Sequence, residues 1–190
     1  MCTLPEPRRL PGDVAMWLFI LAELTVFAIL ILAFAVTQRL QPEVFALGRA
    51  QLDTSTGLAM TYSLLSAGAL AALAVQQVRL GRARRGSVLL LGAWLVALVY
   101  VWIKLTEYRH LIDAGLGLER STFFTLYWIV TGFHFLHVLL GLVILAWLGW
   151  RCWQRQYLAP HLSGLESGVL YWHMVDLVWV VLFALMYVIR

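Results

Sequence analysis

The sequence predicts an all-α integral membrane bundle of five transmembrane helices, and three observations predict it. Of 190 residues, 62% are hydrophobic and only 13% charged, whereas a soluble domain is about 45–50% apolar and about 25% charged. Mean hydropathy is +0.83. So many apolar residues cannot be hidden in the core of a chain this small, because small domains expose much of their surface. The apolar residues also gather into long unbroken runs, and about 20 such residues cross one bilayer. An ordinary cytosolic domain, a disordered chain, a coiled coil and a disulfide scaffold are excluded. The length allows five or six crossings, with no sizeable soluble domain beside them.

Five runs are long enough to span or nearly so: Val14–Thr37, Gly57–Val78, Gly86–Ile103 (closing on Lys104), Thr122–Trp150 and Gly168–Ile189. Together they form a single five-helix membrane domain. The first is too long for a signal-peptide core and lacks a small-residue cleavage pattern, so it reads as a retained helix. Helices are expected because backbone groups in lipid must pair within their own segment. A β-barrel would need strands of about 10 residues with alternating polarity, which these runs lack. Gln41-Pro42 and Gln51–Thr56 read as the first loop, Arg79–Arg85 as the second, Asp113–Arg120 as the third, and Arg151–Glu166 with Pro160 as the fourth. In the second run Ser63, Ala67 and Ala71 repeat every four residues, a face that lets a neighbouring helix come close. The nine Trp and seven Tyr partly populate span ends, as interfacial belts do, while Trp94, Trp128 and Trp179 fall deeper and read as packing residues.

Charge sets the expected direction. Of the 14 Lys+Arg, only Lys104 is a lysine. Grouping the N-terminus with the second and fourth loops collects Arg8, Arg9, Arg79, Arg82, Arg84, Arg85, Arg151 and Arg155. The other side holds Arg39, Arg49, Arg109, Arg120 and Arg190. The positive-inside rule then places the N-terminus in the cytoplasm and the C-terminus outside. Nothing in this charge pattern argues for nucleic acid. Cys2 and Cys152 form neither a CxxC pair nor a zinc spacing.

Ionisable residues inside spans are costly, about 2.5–3.5 kcal/mol each on insertion scales. They are Glu23 in the first span, Lys104 and Glu107 at the third, His134 and His137 in the fourth, and His173 and Asp176 in the fifth. At about 1.5 Å rise per residue, Glu23, the two histidine positions of the fourth span, His173 and Asp176 fall in one layer of the cytoplasmic half. His134 and His137 are i, i+3, as are His173 and Asp176, so each pair shares a helix face. The expectation is one interhelical polar cluster or lipid-headgroup site, with Glu166 near its cytoplasmic rim. Lys104 and Glu107 read as an interfacial ion pair in which the lysine snorkels.

Other chemistries fit less well. A di-iron bundle needs two Glu-x-x-His motifs and two more glutamates; Glu107 to His110 is one such spacing, at the membrane edge. A b-type haem between His134 or His137 and His173 would set an apolar macrocycle beside Asp176 and Glu23. A proton relay through Glu23 and the histidines remains open. A transporter usually breaks its helices at mid-membrane with Gly or Pro, and no proline falls inside a span. No metal ligand set and no cofactor of its own is expected.

The residues now reached resemble a known family. Thr131-Gly132-Phe133-His134-Phe135-Leu136-His137-Val138 with Gly141, and Tyr171-Trp172-His173-Met174-Val175-Asp176-Leu177-Val178-Trp179, look like the signature segments of cytochrome c oxidase subunit III. Met16-Trp17-Leu18-Phe19-Ile20-Leu21-Ala22-Glu23 resembles that family's helix with its intramembrane glutamate. Thr106-Glu107-Tyr108 resembles its Glu-Tyr pair, and Glu166 its acidic residue before the last helix. The mitochondrial-type subunit has seven helices, of which this chain would lack the first two. Its opening Pro11-Gly12-Asp13, its length and Lys104 before Glu107 look more like NorE, the branch encoded with nitric oxide reductase. The resemblance implies an accessory, non-catalytic subunit without haem or copper. It would bind structural phospholipid in a cleft between the first two spans and the other three, and would pack beside a haem–copper catalytic subunit in the bacterial inner membrane. That partner would be nitric oxide reductase, or alternatively a cytochrome c or quinol oxidase. A haem-binding electron-transfer protein is the rival from another class.

Overall fold

Each of the five apolar runs is helical in the computed structural model, which describes residues 13–157 and 162–189. The elements are α1 (Val14–Leu40), α2 (Pro42–Arg49), α3 (Thr54–Arg79), α4 (Ala83–Asp113), α5 (Thr122–Trp153) and α6 (Ser163–Phe183), the last continued by a π-helical turn, Ala184–Val188. No strand occurs among the described residues. All five long helices are long and apolar enough to cross a membrane. Cys2, Arg8, Arg9, Pro11, Gly12, Pro160 and Arg190, considered above, lie outside the described residues.

Local sequence explains the boundaries. Asp53 caps α3, its carboxylate accepting from the Ser55 and Thr56 amides at 3.1 and 3.0 Å. Ser121 caps α5 in the same way. α3 and α4 end on Gly81 (φ 73°) and Gly115 (φ 71°), where the missing Cβ permits the left-handed turn. Arg82 N–H then reaches back to Gln77 O, and Leu116 N–H to Leu111 O. Pro42 opens α2, a position where its lack of an N–H costs nothing.

The loop expected between the first two spans therefore contains a short helix. Its Phe45 is fully buried against Phe34 of α1 and Phe123 of α5, at ring separations of 5.0 and 5.4 Å. A Cβ at Gly48 would collide with the Phe123 ring. The third span also runs further than expected, to Asp113.

α3, α4, α5 and α6 pack in a ring, each against the next and α6 back onto α3. α1 lies outside it against α6 and α5. The tightest seam joins α3 to α4. There Ser63, Ala67 and Ala71 are all buried, and the Ser63 hydroxyl donates to Val96 O at 2.6 Å. This is the small-residue face read from the sequence. α4 and α5 are tied by Ser87 donating to Gly149 O at 2.8 Å. On α5, Gly141 lets the fully buried Trp172 of α6 lie against its backbone. Thr37, Pro42 and the π turn lie at one end of the bundle; Asp13, the α3–α4 turn and the start of α6 lie at the other.

Candidate functional site

The expected single polar layer resolves into separate sites, because neighbouring faces of one helix meet different partners. Glu23 of α1 meets His137 of α5, Oε2 to Nε2 at 3.0 Å. The other ring nitrogen, Nδ1, lies 2.9 Å from Phe133 O. A carbonyl only accepts, so Nδ1 must carry its hydrogen. One further proton must then sit between Nε2 and the Glu23 carboxyl, since two bare lone pairs would repel. The edges of Phe27 and Phe133 enclose the imidazole, with ring separations of 5.1 and 4.6 Å.

His173 and Asp176 pair along α6 itself, Nδ1 to Oδ2 at 3.2 Å. Asp176 is buried and its carboxylate lies over Gly68 of α3, where no Cβ would fit. The His173 side chain keeps 41% of its surface exposed. Glu23 and Asp176 do not meet; each takes its own histidine.

His134 stands apart from both. It is fully buried, and neither ring nitrogen has a hydrogen-bond partner. Its ring packs between Trp179 (5.3 Å), Tyr100 (6.1 Å) and Phe27 (6.2 Å). Residues i and i+3 are about 60° apart around a helix, enough for His137 to face α1 while His134 faces α4 and α6. Glu166 lies in the first turn of α6, bridged to Arg79 at 2.6 Å.

The Lys104–Glu107 expectation needs the largest correction. The pair forms, Nζ to Oε2 at 2.7 Å, but Lys104 is 0% exposed. It does not snorkel. α4 continues two more turns beyond Glu107, and the bundle closes over both side chains. Tyr127 and Tyr187 also donate to Glu107, each at 2.8 Å, and Lys104 donates to Tyr127 Oη at 3.0 Å. The ammonium lies over the rings of Tyr108, Tyr127 and Trp179, at 4.8, 4.9 and 5.4 Å. The arrangement is physically coherent: a carboxylate takes three donors, and aromatic faces supply the remaining negative potential to the ammonium. The π-helical turn carries Tyr187 into this set. Tyr108 completes the surroundings by donating to Thr131 Oγ1 at 2.9 Å.

The tyrosines are what sequence reading missed. An interfacial belt does not account for them, since Tyr100, Tyr127, Tyr171 and Tyr187 are buried. A buried lysine needs more than one partner, which is a signal to look for hydroxyls and rings, but their positions on α5 and the π turn carry no sequence spacing to Lys104. Among the described residues, no three His, Cys, Asp or Glu side chains come together as a metal ligand set.

Comparison with known proteins fits this architecture. The family described as cytochrome c oxidase subunit III matches residues 12–189. Cytochrome c oxidase subunit 3 of Schizophyllum commune is 36% identical over 137 residues, covering 72% of this chain and 50% of that protein. The subunit of the same name from a Synechocystis species is 37% identical over 95 residues, covering 50% of this chain and 40% of that one. A protein named heme-copper oxidase subunit I+III from Aeropyrum pernix is 29% identical over 181 residues, covering 92% of this chain and 22% of its own length. The chain thus spans half or less of the length of these relatives. Their names are those of oxidases, which gives the nitric oxide reductase branch no support and favours the oxidase alternative. With nearly the whole chain matched and the signature segments lying on the helices that bear its paired imidazoles, this protein belongs to the cytochrome c oxidase subunit III family.

Proposed function

We propose that the chain is a non-catalytic accessory subunit that packs against and stabilises the catalytic subunit of a haem–copper oxidase. The observation that carries this is the family match across all five membrane helices. The Aeropyrum pernix protein adds to it, because its name joins subunits I and III in one chain. The reading includes a bacterial cell membrane, an N-terminus on the cytoplasmic side on the strength of the arginines of the second and fourth loops, a structural phospholipid, and no haem or copper of its own.

The buried polar pairs serve this role structurally. Glu23, Lys104, Glu107, His137, His173 and Asp176, which lipid would not tolerate, each have a partner on the bundle, while His134 is enclosed by aromatic rings. The half-exposed His173, held by Asp176, offers a polar contact at the α3–α6 face to a covering membrane helix. A nitric oxide reductase as catalytic partner rests on Lys104 before Glu107 and is decided by the same experiment.

The test is purification from native membranes in mild detergent, followed by identification of what accompanies the chain and assay for oxygen and nitric oxide reduction. A haem–copper oxidase subunit with oxygen reduction is expected. A reductase partner would move the assignment to the other branch, and a chain that purifies alone with stoichiometric haem by pyridine haemochrome would overturn the proposal. Asp176→Ala should weaken partner retention; a normally folded variant that keeps its partner would remove Asp176 from the role.

A further inference from the structure

A cavity opens at the bundle end where α1, α2 and the π turn converge, sharing only Tyr187 with the Lys104–Glu107 site. Its volume is about 950 Å³, and its walls include Ala35, Gln38, Arg39, Arg49, Thr54 and Leu185. Two arginines thus line one hollow. The Nε and one terminal nitrogen of Arg49 are buried and have no hydrogen-bond partner. A guanidinium presents five donors in a planar fork suited to carboxylate or phosphate, and leaving buried donors of a charged group unmade is expensive. Burial also holds the Arg49 guanidinium below its ordinary pKa, which is the direction an uncompensated cation takes.

We infer that this cavity binds the phosphate of a phospholipid headgroup, with Arg49 as its principal donor and Arg39 and Gln38 beside it. The walls are amphiphilic: the arginines, Gln38 and Thr54 supply the polar part, and Ala35 and Leu185 an apolar floor. Leu40 and Leu47 next to it are 76% and 72% exposed, as befits a short helix lying at the boundary of headgroups and acyl chains. The volume exceeds that needed by a bare oxyanion and accommodates a glycerol and the first carbons of its chains. The site differs from the cleft implied by resemblance, since α3 contributes only Thr54, its first residue. It deepens the phospholipid part of the proposed function, but stands on Arg49 alone. Its failure would leave the catalytic partner unaffected, and a chain with no oxidase partner would leave this site intact.

The test uses the full chain, purified in mild detergent and stripped of lipid. It is titrated separately with dihexanoyl phosphatidylglycerol, dihexanoylglycerol and inorganic phosphate, and adducts are counted by native mass spectrometry. One phosphatidylglycerol per chain is expected, with dihexanoylglycerol and the R49Q variant each binding about tenfold more weakly, equivalent to 1.4 kcal/mol. R49K, which keeps the charge but not the fork, should fall between. The dihexanoylglycerol comparison is made on the unaltered chain, so it decides the matter even where R49Q fails to fold. Equal binding of phosphatidylglycerol and dihexanoylglycerol, or equal binding by R49Q and the unaltered chain, would overturn the inference. Inorganic phosphate binding as tightly as the lipid would assign the site to a free anion and remove the lipid.

Discussion

Replacing Lys104 with methionine keeps the length of the side chain and removes its ammonium. An exposed interfacial ion pair would make this nearly silent, because such pairs contribute about 0–1 kcal/mol. The structure predicts otherwise. Lys104 is 0% exposed and Glu107 nearly so, and removing one partner of a buried pair costs about 3–5 kcal/mol. Glu107 would keep two tyrosine donors, Tyr127 and Tyr187, so the lower end, about 3 kcal/mol, is expected. E107Q should cost a similar amount, since it strands the ammonium among aromatic rings. In the double variant K104M/E107Q no charge is left; the glutamine oxygen accepts from one tyrosine, and its amide donates to the hydroxyl oxygen of the other. Its stability should return to within about 1 kcal/mol of the unaltered chain, because a buried pair is roughly balanced by its desolvation. The assay is unfolding by SDS in mixed micelles, read by tryptophan fluorescence, for all four corners of the cycle. A K104M variant within about 1 kcal/mol of the starting protein, or additive single effects, would refute the buried-pair argument and restore the snorkelling lysine.

Gly141→Ala should destabilise the chain by about 1–3 kcal/mol in the same assay, because a Cβ there would stand 2.8 Å from the buried Trp172 ring. Gly132→Ala, whose Cβ would meet nothing within 4 Å, should be neutral or raise stability by up to about 1 kcal/mol through helix propensity. His134→Phe should lose no more than about 1 kcal/mol, since neither ring nitrogen has a partner to forfeit and a phenyl ring keeps the aromatic packing; a larger loss would show that the imidazole is hydrogen-bonded after all. Asp53 lies outside the spans, and its carboxyl is held below the usual carboxylate range, first by the Thr56 hydroxyl and then by the Ser55 and Thr56 amides. Its contribution is therefore complete above about pH 4 and is lost as pH falls through the lower folded value. Asp53→Asn, which caps equally well without titrating, should flatten this part of a melting-temperature profile between pH 6 and 3; an unchanged profile would mean that Asp53 does not supply it.

The number of crossing helices, their order and the small-residue seam of α3 were legible in the sequence. They follow from hydropathy and spacing, which are properties of the chain taken one segment at a time. The short α2 was not legible, because eight residues opened by Pro42 resemble a loop and are held as a helix by Phe45 packing on Phe34 and Phe123. Nor was the end of α4, since charges at Lys104, Glu107 and Arg109 look like a membrane boundary while the backbone hydrogen bonds simply continue to Asp113.

Family signature segments located the paired imidazoles, but not what each one touches. Spacing put His134 and His137 on one face; only the positions of α1, α4 and α6 around α5 gave Glu23 to His137 and left His134 among aromatic rings. The same holds for Lys104, whose three aromatic neighbours and carboxylate come from α4, α5 and α6. A sequence determines which side chains must leave hydrocarbon. The rotation and depth of each helix against its neighbours determine where they go, because a partner 20 or 80 residues away is brought within 3 Å only by packing.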